Sequence, residues 1–176
     1  MIKGYTTIQK IEEMVTEKLY SIGITEKSYP YNPFELIERE GIILSFQKLD
    51  DVNIRGMLVR GDLRSGILIN SSRSIKSQKF TAMHELFHYW FHQGKNRTIC
   101  LDSDIYIANH KSIEWQANQG AACALMPSRV MEGLWEYTNG NTEYMSQYLD
   151  VSQEALENRI HTLKLKHEYY FKYFNE

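Results

Sequence analysis

Residues 79–92, KFTAMHELFHYWFH, restrict the fold more than any other stretch of the chain. Phe80, Met83, Phe87 and Phe91 recur at helical spacing and form an apolar stripe that a soluble protein must bury. The same helix carries His84 and His88 one turn apart, with Glu85 directly after the first. Positions i and i+4 share a helix face, so the two imidazoles project together. So placed, they reach a single Zn²⁺ at ~2.0–2.1 Å. Glu85 sits about 100° round the helix, beside such an ion rather than on it, where it can take a proton from a water. The plainer alternative is a packed helix whose buried histidines bond only to neighbours.

A catalytic zinc site needs a third protein ligand and leaves a fourth position to water. His92 is the nearest rival, but it lies about 12 Å of helix rise from His84, too far for three histidines on one straight helix to surround one ion. The metzincin spacing fails too, because Phe91 and Gly94 stand where it needs Gly and His. Glu114, in SIEWQANQGAACALMP, is the better candidate. It opens a second helix, with Asn118 one turn further on the same face. The side-chain oxygen of Asn118 can accept the free N–H of a ligand histidine and fix its tautomer. Taken alone, Glu114 reads as a solvated first-turn glutamate favoured by the helix dipole.

The remaining pattern gives an α+β class, with strands early and helices late. Ile8, Ile11, Val15, Leu19 and Ile22 predict a helix over 6–23 that stops at Gly23, and Asn32, Pro33 and Gly41 delimit a second. IILSFQ (42–47), IRGMLVR (54–60) and SGILINS (65–71) predict a small antiparallel sheet of three strands, with GDLR as a hairpin turn and room for one more strand. Helices follow over 75–92 and from Ser112 to before Pro127, with GKNRTICLDSD between them as a loop. SRVMEGLWEYT, TEYMSQYLD and SQEALENRIHTLKL give further helices. The expected organisation is one domain over 1–176, with 139–176 as its C-terminal helical part.

Composition excludes little. The chain has 176 residues, 43% of them hydrophobic, and a net charge of −2, so no overall basic field holds a nucleic acid. Its two cysteines, Cys100 and Cys123, read as free thiols of a reducing compartment. The start, MIKGYTTIQK, has no apolar run after its lysine, and no stretch approaches the ~20 apolar residues of a membrane span. The expected location is the cytoplasm.

FTAMHELFHYWFH followed by IEWQANQGAACALMP resembles the ImmA/IrrE metallopeptidases, with their HExxH helix and later E-x-x-A-N…LMP helix. A late VSQEALENRI (151–160) adds to a resemblance that spans nearly the whole chain. It implies a zincin-like helical core and a gluzincin-like set in which His84, His88 and Glu114 hold one Zn²⁺ per chain and Glu85 is the base. Mn²⁺ or Fe²⁺ also suits such donors. It further implies cleavage of a helix-turn-helix repressor that silences prophage, mobile-element or stress genes. Phe87 departs from the pattern, standing where many relatives have Gly, and is expected to narrow the cleft beside the metal. No oxyanion stabiliser is singled out among His161, His110, Arg129 and the tyrosines.

Two other readings come from the C-terminal part. TEYMSQYLDVSQEALENRI is similar to a helix-turn-helix, which gives a DNA-binding regulator with a structural zinc and no protease activity. Its second helix carries Glu154, Glu157 and only Arg159, too little positive charge for phosphate contact. An inactive relative that binds a repressor without cutting it is a separate alternative. The tail KLKHEYYFKYF, with lysines among aromatics, reads as a helix packed on the body, with a dimer contact or stacked single-stranded bases as alternatives.

Overall fold

The computed structural model describes residues 6–94, 97–106, 109 and 112–165. In chain order its elements are α1 (Ile8–Ser21), α2 (Pro33–Arg39), β1 (Ile43–Gln47), β2 (Ile54–Arg60), β3 (Ser65–Asn70), α3 (Ile75–Phe91), β4 (Arg97–Leu101), α4 (Ile113–Leu125), α5 (Ser128–Thr138), α6 (Thr142–Tyr148) and α7 (Gln153–Leu163), with short 3₁₀ turns at Glu26–Ser28 and Asp102–Tyr106. The α+β class holds, but the sheet differs from the expected three antiparallel strands. It is a mixed sheet of four described strands in the order β1-β3-β2-β4. The hairpin at 61–64 forms as expected, with the Gly61 N–H donating to the Arg64 carbonyl at 3.2 Å. β1, however, does not pair with its sequence neighbour β2. It runs parallel to β3, with Ser45 opposite Leu68.

The fourth strand, β4, lies within the stretch expected to be loop and pairs antiparallel with β2, Met57 opposite Ile99. Its alternation is genuine: Thr98 and Cys100 face inward and are buried, Arg97 and Ile99 face out. Five residues beside a Gly-Lys-Asn run are too short a sample to outweigh the turn signal.

α3 lies across the inner face of the sheet, over Leu58, Ile67 and Ile69. The approach is close because β2 has Gly56 there. A Cβ at that position would sit 2.6 Å from Thr81 Cγ2 and 2.9 Å from the Leu68 carbonyl oxygen. The Ser74 hydroxyl caps the start of α3 by accepting from the Ser77 N–H. At its far end the Arg60 guanidinium donates to the carbonyls of His88 (2.7 Å) and His92 (3.3 Å). Arg60 thus adds a second donor to the His88 carbonyl and reaches the His92 carbonyl beyond the helix end.

α4 packs on the other side of α3. Phe87, only 1% exposed, turns its ring onto Gly120 of α4. The residue therefore fills the α3–α4 interface and does not narrow a cleft beside the histidines. Glycine at 120 leaves the space that the larger ring occupies.

The last described helix ties back to the first. Arg159, 2% exposed, donates from Nε to the Met126 carbonyl (2.9 Å) and from Nη2 to Glu12 Oε2 (2.8 Å). Burial alone would raise the Glu12 carboxyl, but the Arg159 charge and the Ser128 N–H outweigh it and hold it below its ordinary 4.5. A depressed pKa contributes stability that is present above 4.5 and lost as pH falls through the lowered value. Glu12→Gln is therefore expected to destabilise the protein at neutral pH by an amount that shrinks in acid. Urea midpoints for both proteins across the pH range check this. A gap that stays constant into acid would refute it.

No described helix is long and apolar enough to cross a membrane. The tail at 166–176, expected as a packed helix, lies outside the described residues.

Candidate metal centre

Helical spacing puts the two α3 histidines together as the sequence requires. Their Nε2 atoms lie 3.1 Å apart. The first turn of α4, capped by the Ser112 hydroxyl, brings Glu114 Oε2 to 3.3 Å from His84 Nε2 and 3.0 Å from His88 Nε2. Both histidines are fully buried, while Glu114 keeps 19% of its side chain exposed. Ligands at ~2.0–2.1 Å on a tetrahedral ion stand about 3.3 Å from one another. The triangle of His84 Nε2, His88 Nε2 and Glu114 Oε2, with edges of 3.0–3.3 Å, has about that size.

The outer hydrogen bonds fix what each ring presents. Asn118 Nδ2 donates to the Asp104 carbonyl at 2.6 Å, which turns Oδ1 towards His84 Nδ1 at 2.8 Å. An amide oxygen only accepts, so His84 carries a proton on Nδ1, and its neutral form presents a lone pair at Nε2. Asn118 thus sits where the sequence reading put it. Glu114, beside both rings, is held well below the usual carboxylate range: burial opposes this, and the two histidines outweigh it. Burial pushes His88 down to about 4. For His84 burial also opposes the charged form, but Cys100, Glu114 and Glu85 outweigh it and raise it well above 6.5. Three acceptor atoms aimed at one point need a cation between them. A proton shared with Glu114 is one such cation, and a divalent ion fits the donors better, because it satisfies all three at once.

Glu85 does not enter the triangle. It is fully buried on the next flank of α3, where the Thr98 hydroxyl of β4 donates to its Oε2 at 2.7 Å. Its Oε1 has no hydrogen-bond partner among the described residues. Burial raises its carboxyl, more than the His84 charge and the Thr98 hydroxyl lower it. That combination, one oxygen anchored and one free on a carboxyl with raised proton affinity, suits a group that takes up and returns a proton. Cys100, read as a free thiol, is buried close by. Its sulfur, an oxygen of Glu85 and a nitrogen of His84 all lie within 4.8 Å of one another.

Sequence reasoning missed Thr98 because it treated this stretch as loop. It also left His92 without a role. That ring lies behind His88, with the two Nδ1 atoms 2.9 Å apart. The signal was present, since 88 and 92 repeat the spacing of 84 and 88. Of the oxyanion candidates, Arg129 is exposed and pairs with Glu26, His161 is exposed on α7, and His110 lies outside the described residues.

Two buried histidines and a carboxylate on crossed helices, with a second carboxylate held beside them, form a donor set that could hold a metal ion. The model of one peptidase family, peptidase M78, described as the IrrE N-terminal-like domain, matches residues 37–161. The chain belongs to this metallopeptidase family, as the ImmA/IrrE resemblance implied. No curated protein matches the sequence. Among solved structures, the chain is similar to a Mycobacterium tuberculosis transcriptional regulator, with a TM-score of 0.61 at 13% identity. The match covers 86% of this chain and 46% of that one, so the chain spans about half the length of that protein. At that identity the likeness is one of fold.

Proposed function

We propose that the chain is a zinc-dependent endopeptidase in which His84, His88 and Glu114 hold the metal and Glu85 is the base. The observation that carries this reading is the triangle of two Nε2 atoms and one Oε2, with edges of 3.0–3.3 Å, beside the unpartnered Oε1 of Glu85. A bound zinc supplies Lewis acidity, which lowers the pKa of a water towards 7 and polarises a carbonyl. Glu85 then takes the proton at Oε1 and returns it to the leaving amine, while Thr98 keeps Oε2 in place. β4 ends the order of described strands, so an extended peptide added to its open side would run past Glu85.

The substrate we propose is a helix-turn-helix repressor, on the strength of the family resemblance. The competing DNA-binding reading draws no support from α7. Its one arginine is the buried Arg159, and it exposes Glu154 and Glu157.

Glu85→Gln tests the mechanism. Cleavage of a helix-turn-helix repressor substrate is expected to fall by roughly 10²–10⁴-fold, as on loss of a general base. Zinc content should stay at the wild-type level. Cleavage at an undiminished rate would remove Glu85 from the mechanism. Failure of wild type to cut any such repressor would remove the substrate while leaving the metal chemistry standing.

A further inference from the structure

Behind His88 stands a second buried ring and behind that a buried amide. His92 Nδ1 is 2.9 Å from His88 Nδ1, and His92 Nε2 is 3.0 Å from Gln116 Oε1. His92 and Gln116 are both buried. We propose that His92 and Gln116 are positioning residues that fix the tautomer and orientation of His88 through a directed relay of hydrogen bonds. The inference rests on the reading of His84, His88 and Glu114 as metal donors.

The direction follows from what each atom can do. The amide oxygen of Gln116 only accepts, so His92 donates from Nε2. A neutral imidazole carries one N–H, so His92 Nδ1 is an acceptor. The atom facing it, His88 Nδ1, must donate. His88 Nε2 is then a bare lone pair, aimed at the point shared with His84 Nε2 and Glu114 Oε2. Reversed, the relay would put a proton on His88 Nε2 and block metal binding.

The backbone under the relay is fixed as well. Arg60 Nη2 reaches the carbonyls of both His88 and His92, and the His92 N–H donates to the His88 carbonyl at 3.0 Å. The Phe87 ring packs beside His92, with ring centroids 5.3 Å apart. His84 and His88 thus have equivalent support from different sources. Asn118 holds the first ring directly, and Gln116 holds the second through His92. Both amides come from α4, which also supplies Glu114, so one helix delivers a donor and orients the other two.

The test is zinc affinity by chelator competition for wild type, His92→Phe and His92→Asn, with circular dichroism of the metal-free proteins as a check on folding. Phe keeps the ring volume and removes the acceptor. Asn places a carboxamide oxygen near the position of the lost Nδ1. His92→Phe is expected to weaken zinc binding by about 10–100-fold, the usual effect of losing an outer partner of a ligand histidine. His92→Asn should recover most of that loss, which a purely structural role for the ring would not produce. Equal affinity in wild type and a folded His92→Phe overturns the relay and leaves the metal reading intact. Wild type that takes up no zinc overturns the metal reading itself. A measurement on wild type alone covers a variant that does not fold. Nitrogen-15 spectra of the zinc-loaded protein should show protons on His88 Nδ1 and His92 Nε2, and a proton on His92 Nδ1 instead overturns the proposal.

Discussion

Glu114→Ala is expected to strip the protein of zinc, with wild type retaining close to one ion per chain in elemental analysis. The reason is geometric. Glu114 closes a triangle that the two histidines leave open, and it supplies the negative charge among the three donors. Structural zinc sites bind with ~10–16 kcal/mol, so removing one of three protein donors should cost about 3–4 kcal/mol, roughly 10²–10³-fold in affinity. The fold should survive, since Glu114 stands in the first turn of α4 with part of its side chain in solvent and contributes about 0.5 kcal/mol there through the helix dipole. Added zinc should therefore raise the melting temperature of wild type and leave that of the variant where it was. A variant that binds zinc as tightly as wild type would mean that Cys100 or another group completes the set, and the proposed donors would be wrong.

Gly120→Ala should be strongly destabilising. A Cβ at 120 would enter the Phe87 ring, 2.6 Å from its Cγ. The ring has little room to withdraw, because Phe91 and His92 pack against it with centroids at 4.8 and 5.3 Å. Overpacking costs about 1–3 kcal/mol where neighbours can shift, so this site belongs at or above the upper end. For a chain of this length that is a loss of roughly 6–12 °C in melting temperature. Phe87→Ala alone should cost about 3–5 kcal/mol through the cavity it leaves. The double variant should be no less stable than Phe87→Ala, giving a coupling of about 2 kcal/mol or more in a double-mutant cycle. Additive losses would show that the two positions do not share the space.

Those two predictions mark what was legible in the chain and what was not. The His84–His88 pair, the flanking Glu85 and the Glu114–Asn118 step are all readable, because a helix converts sequence spacing directly into a shared face. The Phe87–Gly120 match is not, because it joins two helices whose crossing no local pattern records. The same limit explains the sheet. Strand periodicity revealed β1, β2 and β3 but not that β1 pairs with β3, since pairing partners are set by topology rather than alternation. Thr98 went unseen with β4. His92 was weighed only as a metal ligand. It failed there on distance, and its place behind His88 follows from the same spacing rule applied once more.

The Arg159 strut has a consequence for how the chain is made. Its contact with Glu12 spans 147 residues, while its contact with the Met126 carbonyl spans 33. On a ribosome, the helices that carry His84 and Glu114 emerge long before α7. Until α7 follows, the Glu12 carboxylate has the Ser128 N–H as a partner but not Arg159. Contacts of such sequence separation close large loops and form slowly. The centre between α3 and α4 can thus assemble on a nascent chain before α7 brings Arg159 to Glu12.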